Sequence, residues 1–206
     1  MSESSVPRIR LRVENLSDLV FGLALSIGSI ILVSKLPQTP ADLVSGVVLF
    51  GFSFLIIVWI WFGYTRTMAV LPYEVRGTLL LNIMLLFCVA VSPYLFYVLA
   101  ESAVGLLDFA SSFYAFDVGA MMFIQAGLIY ILLGEEKRSG AQGLPPALLG
   151  RFRRTMVAQI SVGMIFVASV LPFLWIRVPL GAFLRFDVWY AALVILFVVP
   201  RAGKRA

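Results

Sequence analysis

The chain contains no histidine and one cysteine, and charged residues make up only 13% of its 206 positions. Without imidazole, histidine-based metal sites, histidine proton relays and nucleophile pairs of the Ser-His or Cys-His kind are excluded. The lone Cys88 cannot close an internal disulfide, and its place in the middle of an apolar run reads as core. Paired carboxylates, metal-ligand spacings and Gly-rich phosphate loops are also missing, so no enzyme site and no cofactor site is legible. The N-terminus lacks a signal-peptide pattern, because apolar sequence starts only at Leu16 and no small-residue cleavage site with a soluble domain follows. No internal repeat is strong enough to suggest an inverted duplication, which weakens a secondary-transporter reading.

What the chain has is apolar length. It is 61% hydrophobic with a mean hydropathy of +1.00, against roughly half in an ordinary globular chain. A spanning helix needs about 20 mostly apolar residues. Charge-free intervals of that order occur at 43–65, 77–100 and 155–176, and another at 109–134 is broken only by Asp117. Two shorter ones, 19–34 and 188–200, reach the length if Lys35 and Arg185 snorkel to the interface. This predicts an all-α integral membrane protein with six transmembrane helices. The membrane domain covers 12–200, between a short, partly disordered tail at 1–11 and a basic tail at 201–206. Pro-containing turns are expected at 36–42 and 177–181, and the only roomy loop at 135–151.

Basic residues follow the predicted topology. Arg8, Arg10 and Arg12 precede the first span, Arg66 and Arg76 lie between the second and third, and Lys137, Arg138, Arg151, Arg153 and Arg154 lie between the fourth and fifth. Arg201, Lys204 and Arg205 end the chain. Of the 16 Lys and Arg, only Lys35, Arg177 and Arg185 fall on the other side. That bias places both termini in the cytoplasm. It makes anionic lipid, not nucleic acid, the expected polyanionic partner.

Residues 12–30, RVENLSDLVFGLALSIGSI, bring Arg12, Ser17 and Asp18 to the start of the first span, where polar groups need partners. Ser17 and Asp18 fit an N-terminal cap, and a buried Arg–Asp network anchoring the helix is an equally natural use. At about 100° per residue, Leu23, Ile27 and Ile30 fall within about 60° of one another. Gly22, Ser26, Ser29 and Val33 form the adjoining stripe, and small residues at that spacing let helices approach closely in lipid. If the Leu/Ile stripe faced a symmetry axis, its rings would form a narrow hydrophobic constriction able to hold a pore closed by dewetting. Leu and Ile at helical spacing more often face lipid or neighbouring helices, so periodicity alone leaves both readings open.

Several further motifs stand in order along the chain. RVENLSD at 12–18, followed by LVFGLALSI, resembles the Arg-x-x-x-Phe-Ser-Asp signature and first helix of the transmembrane protein 175 potassium channels, whose prokaryotic members are six-span chains of about this length. Trp61 with Arg66 resembles the end of that family's second span, Asn82 with Pro93 its third, and FYAFD at 113–117 the start of its fourth. Leu16 stands for the signature phenylalanine, Leu19 for the usual glycine and Ser26 for the usual threonine; Tyr64 and Thr65 stand where a histidine pair is common.

The resemblance implies a homotetramer with four first helices around a pore in the cell membrane of a prokaryote. Leu23, Ile27 and Ile30 match the constriction, Ser26 matches the hydroxyl associated with potassium selection, and Arg12, Ser17 and Asp18 match the signature that ties the first helix to its neighbours. The carbonyl-filter sequence TVGYG is absent. Discrimination would therefore come from constriction size and ion dehydration, giving a modest preference for K⁺ over other monovalent cations.

Asp117, inside the fourth span, is a candidate cation ligand by its depth, but a structural hydrogen bond fits it better. Trp59, Trp61, Tyr64, Tyr73, Trp175, Trp189 and Tyr190 sit near span ends, as an aromatic belt does. Pro93 and Pro172 should kink or end their helices. The function expected is a K⁺-preferring cation channel. An ion-coupled small-solute transporter using Asp117 and Gln125, or a non-conducting scaffold, are the alternatives.

Overall fold

The computed structural model describes residues 5–34, 36–71, 76–102, 104–139, 144–176 and 184–202. Lys35, Tyr73, Lys204, Arg205 and the turn expected at 177–181 lie outside the described residues. The chain is all-helical there: α1 (Ser5–Ser34), α2 (Pro40–Met68), α3 (Arg76–Glu101), α4 (Val104–Ser139), α5 (Pro146–Ala168) and α6 (Leu184–Ala202), with a short 3-10 turn at Pro172–Leu174. Leu11–Ile30, Pro40–Met68, Gly77–Glu101 and Gly105–Arg138 are each long and apolar enough to cross a membrane. The protein is a multi-pass membrane protein. In hydrocarbon the backbone must satisfy its own polar groups, which is why these runs are helices.

Helix ends follow capping chemistry more than the positions of charges. At α2, the Thr39 side chain accepts from the Asp42 backbone N–H at 3.1 Å and the Asp42 carboxylate accepts from the Thr39 N–H at 2.9 Å. With Pro40 at the first helical position, that capping box starts the helix ahead of its apolar run. α1 begins at Ser5, so much of the segment read as a tail is helical. The loop expected at 135–151 is mostly helix as well, since α4 continues to Ser139 and α5 starts at Pro146. The fifth helix is displaced accordingly: it ends at Ala168, not 176, and Pro172 lies in the turn beyond it. Pro93 sits inside α3 without ending it.

α4 is the central helix, packed against α2, α3 and α5. Tyr114, Val118, Met121, Gln125, Leu128 and Leu132 lie along it at alternating spacings of four and three, and all are buried. Gly119 and Gly163 bring α4 and α5 together. A Cβ at Gly119 would lie 2.8 Å from Val167 Cγ2, and one at Gly163 2.9 Å from the Phe123 ring. This is the close approach that small residues permit in lipid.

Three residues expected at the interface are instead buried: Tyr64, Arg185 and Trp189. Arg185 is completely buried rather than snorkelling. Its guanidinium pairs with Asp108 at 2.8 Å, and donates to the Ser169 carbonyl at 2.8 Å, the Val170 carbonyl at 3.3 Å and Ser111 Oγ at 2.5 Å. It also lies 4.7 Å from the centroid of the Trp175 ring. The carbonyls left open where α5 ends attract a cation from α6. Trp189, read as part of the aromatic belt, stacks between Phe52 and Phe166 at 6.1 and 5.5 Å and donates to Ser169 Oγ at 2.8 Å.

Candidate functional site on the first helix

α1 has two unlike faces. Ser17, Phe21 and Ala24, at i, i+4 and i+7, are buried, seating the helix on α2 and α3. On the opposite side Leu23, Ile27 and Ile30 remain 52%, 46% and 65% exposed, in line with Leu16 and Leu19. The small-residue stripe beside them is open too: Gly22, Ser26 and Ser29 are exposed, and a Cβ at Gly22 would meet nothing within 4 Å. Among the described residues no helix uses the close approach this stripe offers. The serine hydroxyls bond to their own helix, Ser26 to the Gly22 carbonyl at 2.8 Å and Ser29 to the Ser26 carbonyl at 2.7 Å. With its proton committed, Ser26 Oγ presents only lone pairs outward.

The seat carries a hydrogen-bonded brace. Ser17 Oγ donates to the Val13 carbonyl at 2.8 Å and lies 2.7 Å from the Tyr64 hydroxyl. A serine has one proton to give, so Tyr64 is the donor to Ser17. Asn82 of α3 lies beside the same phenol, and its Oδ1 is buried with no hydrogen-bond partner. The Phe21 and Tyr64 rings lie 5.7 Å apart beneath this chain. One residue further along α1, Asp18 accepts from Trp61 Nε1 at 3.0 Å.

Four residues singled out in the sequence, Ser17, Asp18, Trp61 and Asn82, thus meet at one end of α1 from three helices. Arg12 does not complete the Arg–Asp network expected of it: it is exposed, and among the described residues no ion pair joins it to Asp18. A neutral Ser17–Tyr64 hydrogen bond and an indole take that place. Asp117 lies apart from α1, on α4, facing Cys88 and Ser92 of α3, with Oδ2 buried and unpartnered.

Sequence reading missed Tyr64, which looked like a belt residue. The signals were its place one turn from Trp61 and its standing where the resembled family commonly has a histidine. Gln159 was missed as well, although an amide inside a charge-free interval marks it. Gln159 Nε2 donates to Gln125 Oε1, and Gln125 Nε2 donates to the Ile60 carbonyl, linking α5, α4 and α2. Gln125 is thereby committed to helix packing. Among the described residues no cluster of side chains suited to hold a metal ion occurs.

Residues 12–93, which hold the exposed stripe and every member of the brace, match the sequence model of the family described as "Endosomal/lysosomal potassium channel TMEM175". A search of curated protein sequences returned no match. Among solved structures, the chain is similar to a lysosomal potassium-selective channel TMEM175 homolog from Chamaesiphon Minutus, with 20% identity and a TM-score of 0.63 over 94% of this chain and 99% of that one. It is also similar to a variant of the potassium channel MtTMEM175 in complex with a nanobody-MBP fusion, with 20% identity and a TM-score of 0.57 over 95% and 94%. At this identity the structural likeness is one of fold, and the sequence match covers α1, α2 and most of α3. The chain thus shares the fold of solved TMEM175 channels and, over residues 12–93, the sequence pattern of the TMEM175 family.

Proposed function

We propose that the protein is a potassium channel in the cell membrane of a prokaryote. It spans the membrane six times with both termini cytoplasmic, and four copies assemble with α1 around the pore. The observation that carries this reading is the two-faced α1: one side braced on α2 and α3, the other presenting Leu23, Ile27 and Ile30 beside an unused small-residue stripe. A lipid-facing helix has no need of a small stripe, whereas a helix packed against its own copies does. Four such helices would set rings of Leu23, Ile27 and Ile30 on the axis as a hydrophobic constriction, with Ser26 Oγ bordering it as a lone-pair donor to a partly dehydrated cation.

Neutral rings give no charge selection by themselves, so the preference for K⁺ over Na⁺ is modest and rests on dehydration. A channel of this kind has permeating cations and no catalytic step. The transporter reading loses support because Gln125 is engaged between Ile60 and Gln159. Purified protein in liposomes with an outward K⁺ gradient, read by a flux dye, should show K⁺ release. Absence of flux at every lipid composition and pH tried would overturn the proposal.

A further inference from the structure

A groove of about 500 Å³ runs between α2 and α5, away from the α1 face. Its walls are Leu55, Val58, Trp59 and Phe62 of α2 and Leu148 and Phe152 of α5. Arg66 and Arg151 lie at its basic end. Both are exposed, and among the described residues neither is ion-paired. Arg66 is held along the wall, its guanidinium carbon 5.9 Å from the Phe62 ring centroid. Gln159 also lines the groove and is almost completely buried, with Oε1 lacking a hydrogen-bond partner.

Three features of this groove define its occupant. Two unpaired guanidiniums call for an anion with several acceptor oxygens, such as a phosphodiester. From Leu55 to Arg66 the apolar wall runs about 16 Å at about 1.5 Å per residue, close to the half-thickness of a hydrocarbon core of about 30 Å. The Gln159 amide lies beside Gly63, about one turn from Arg66 towards Leu55, at the depth where a phospholipid carries its hydrated glycerol region. A soluble anion would leave the apolar length unfilled, and a neutral lipid would leave the two charges unmatched.

We propose that the groove binds an anionic phospholipid from the leaflet on the Arg66 side. Its phosphate is held by Arg66 and Arg151, and one acyl chain lies along Leu55, Val58, Trp59 and Phe62. Basic pockets between transmembrane helices suit such headgroups.

Trp59 gives a readout on the unmodified protein. In phosphatidylcholine vesicles, phosphatidylglycerol brominated on its acyl chains should quench tryptophan fluorescence saturably, at about tenfold lower mole fraction than brominated phosphatidylcholine. Trp59→Phe should remove that saturable component. Arg66→Gln with Arg151→Gln should abolish the preference for phosphatidylglycerol. Arg153→Gln with Arg154→Gln, which removes the same charge from exposed positions outside the groove, should keep it. Equal quenching by the two lipids, loss of the preference in both double variants, or quenching unchanged by Trp59→Phe would each overturn the proposal. Displacement of the brominated lipid by glycerol phosphate alone would overturn the acyl-chain part. A wild-type Trp59 that no lipid reaches would mean that a second copy of the chain fills the groove.

Discussion

The bond chain Tyr64–Ser17–Val13 is built wholly from neutral groups. Tyr64→Phe deletes its outer member and leaves the buried Ser17 oxygen without a donor. It should destabilise the protein by about 1–3 kcal/mol, measured by thermal unfolding in detergent. Paired with Ser17→Ala in a double-mutant cycle it should show coupling of about 1 kcal/mol; strict additivity would mean that the two do not share a bond. Gly63 has a different role: a Cβ there would lie 2.6 Å from Gln125 Oε1. Gly63→Ala must push the amide off the Ile60 carbonyl, and should cost about 1–3 kcal/mol where an added methyl in open helix costs nothing. For the Arg185–Asp108 pair, Arg185→Met should harm stability far more than Asp108→Asn. The arginine is buried and serves three backbone carbonyls, while the Asp108 side chain is 53% exposed and screened. Equal losses would contradict this. Ser17, Asp18, Trp61 and Asn82 were legible because they form ordered motifs. Tyr64, Arg185 and Trp189 were not, since a position near a span end does not say whether a side chain turns to the interface or inward.

At the scale of elements, hydropathy located every helix but placed the ends poorly. A charge-free interval shows where a chain can sit in lipid, whereas the helix stops where caps, prolines and partners dictate. α2 starts at its capping box, three residues before its apolar run. Side-chain periodicity on α1 was legible in full, but not which stripe would be seated, because Leu/Ile and Gly/Ser stripes can each pack on neighbours. In the folded chain neither does; Ser17, Phe21 and Ala24 form the seat instead. If the Leu/Ile stripe lines a pore, Leu23→Ala and Ile27→Ala should each widen the constriction, raising single-channel conductance several-fold or lowering the preference for K⁺ over Na⁺. Bilayer recordings that match wild type for both variants would put the stripe against lipid or protein.

For the whole molecule, the sequence carried the all-helical membrane class and the family resemblance but not the assembly. Contacts between copies depend on surfaces that a single chain leaves open, and composition does not distinguish these from lipid-facing ones. Crosslinking in native membranes should trap species up to a tetramer, and a ladder ending at dimer would exclude a four-helix pore. The hydrogen bonds from α1 to α2 leave from Ser17 and Asp18, at one end of the exposed stripe. Mechanically, α1 is a beam clamped at its base. Leu23 stands about 9 Å from Ser17 along the axis and Ile30 about 20 Å, at about 1.5 Å per residue. A tilt of about 5° about the clamp therefore moves Leu23 by about 0.8 Å and Ile30 by about 1.7 Å. Thermal bending would be felt first at Ile30, leaving Leu23 as the stiffest position of the stripe and Ile30 as the most compliant.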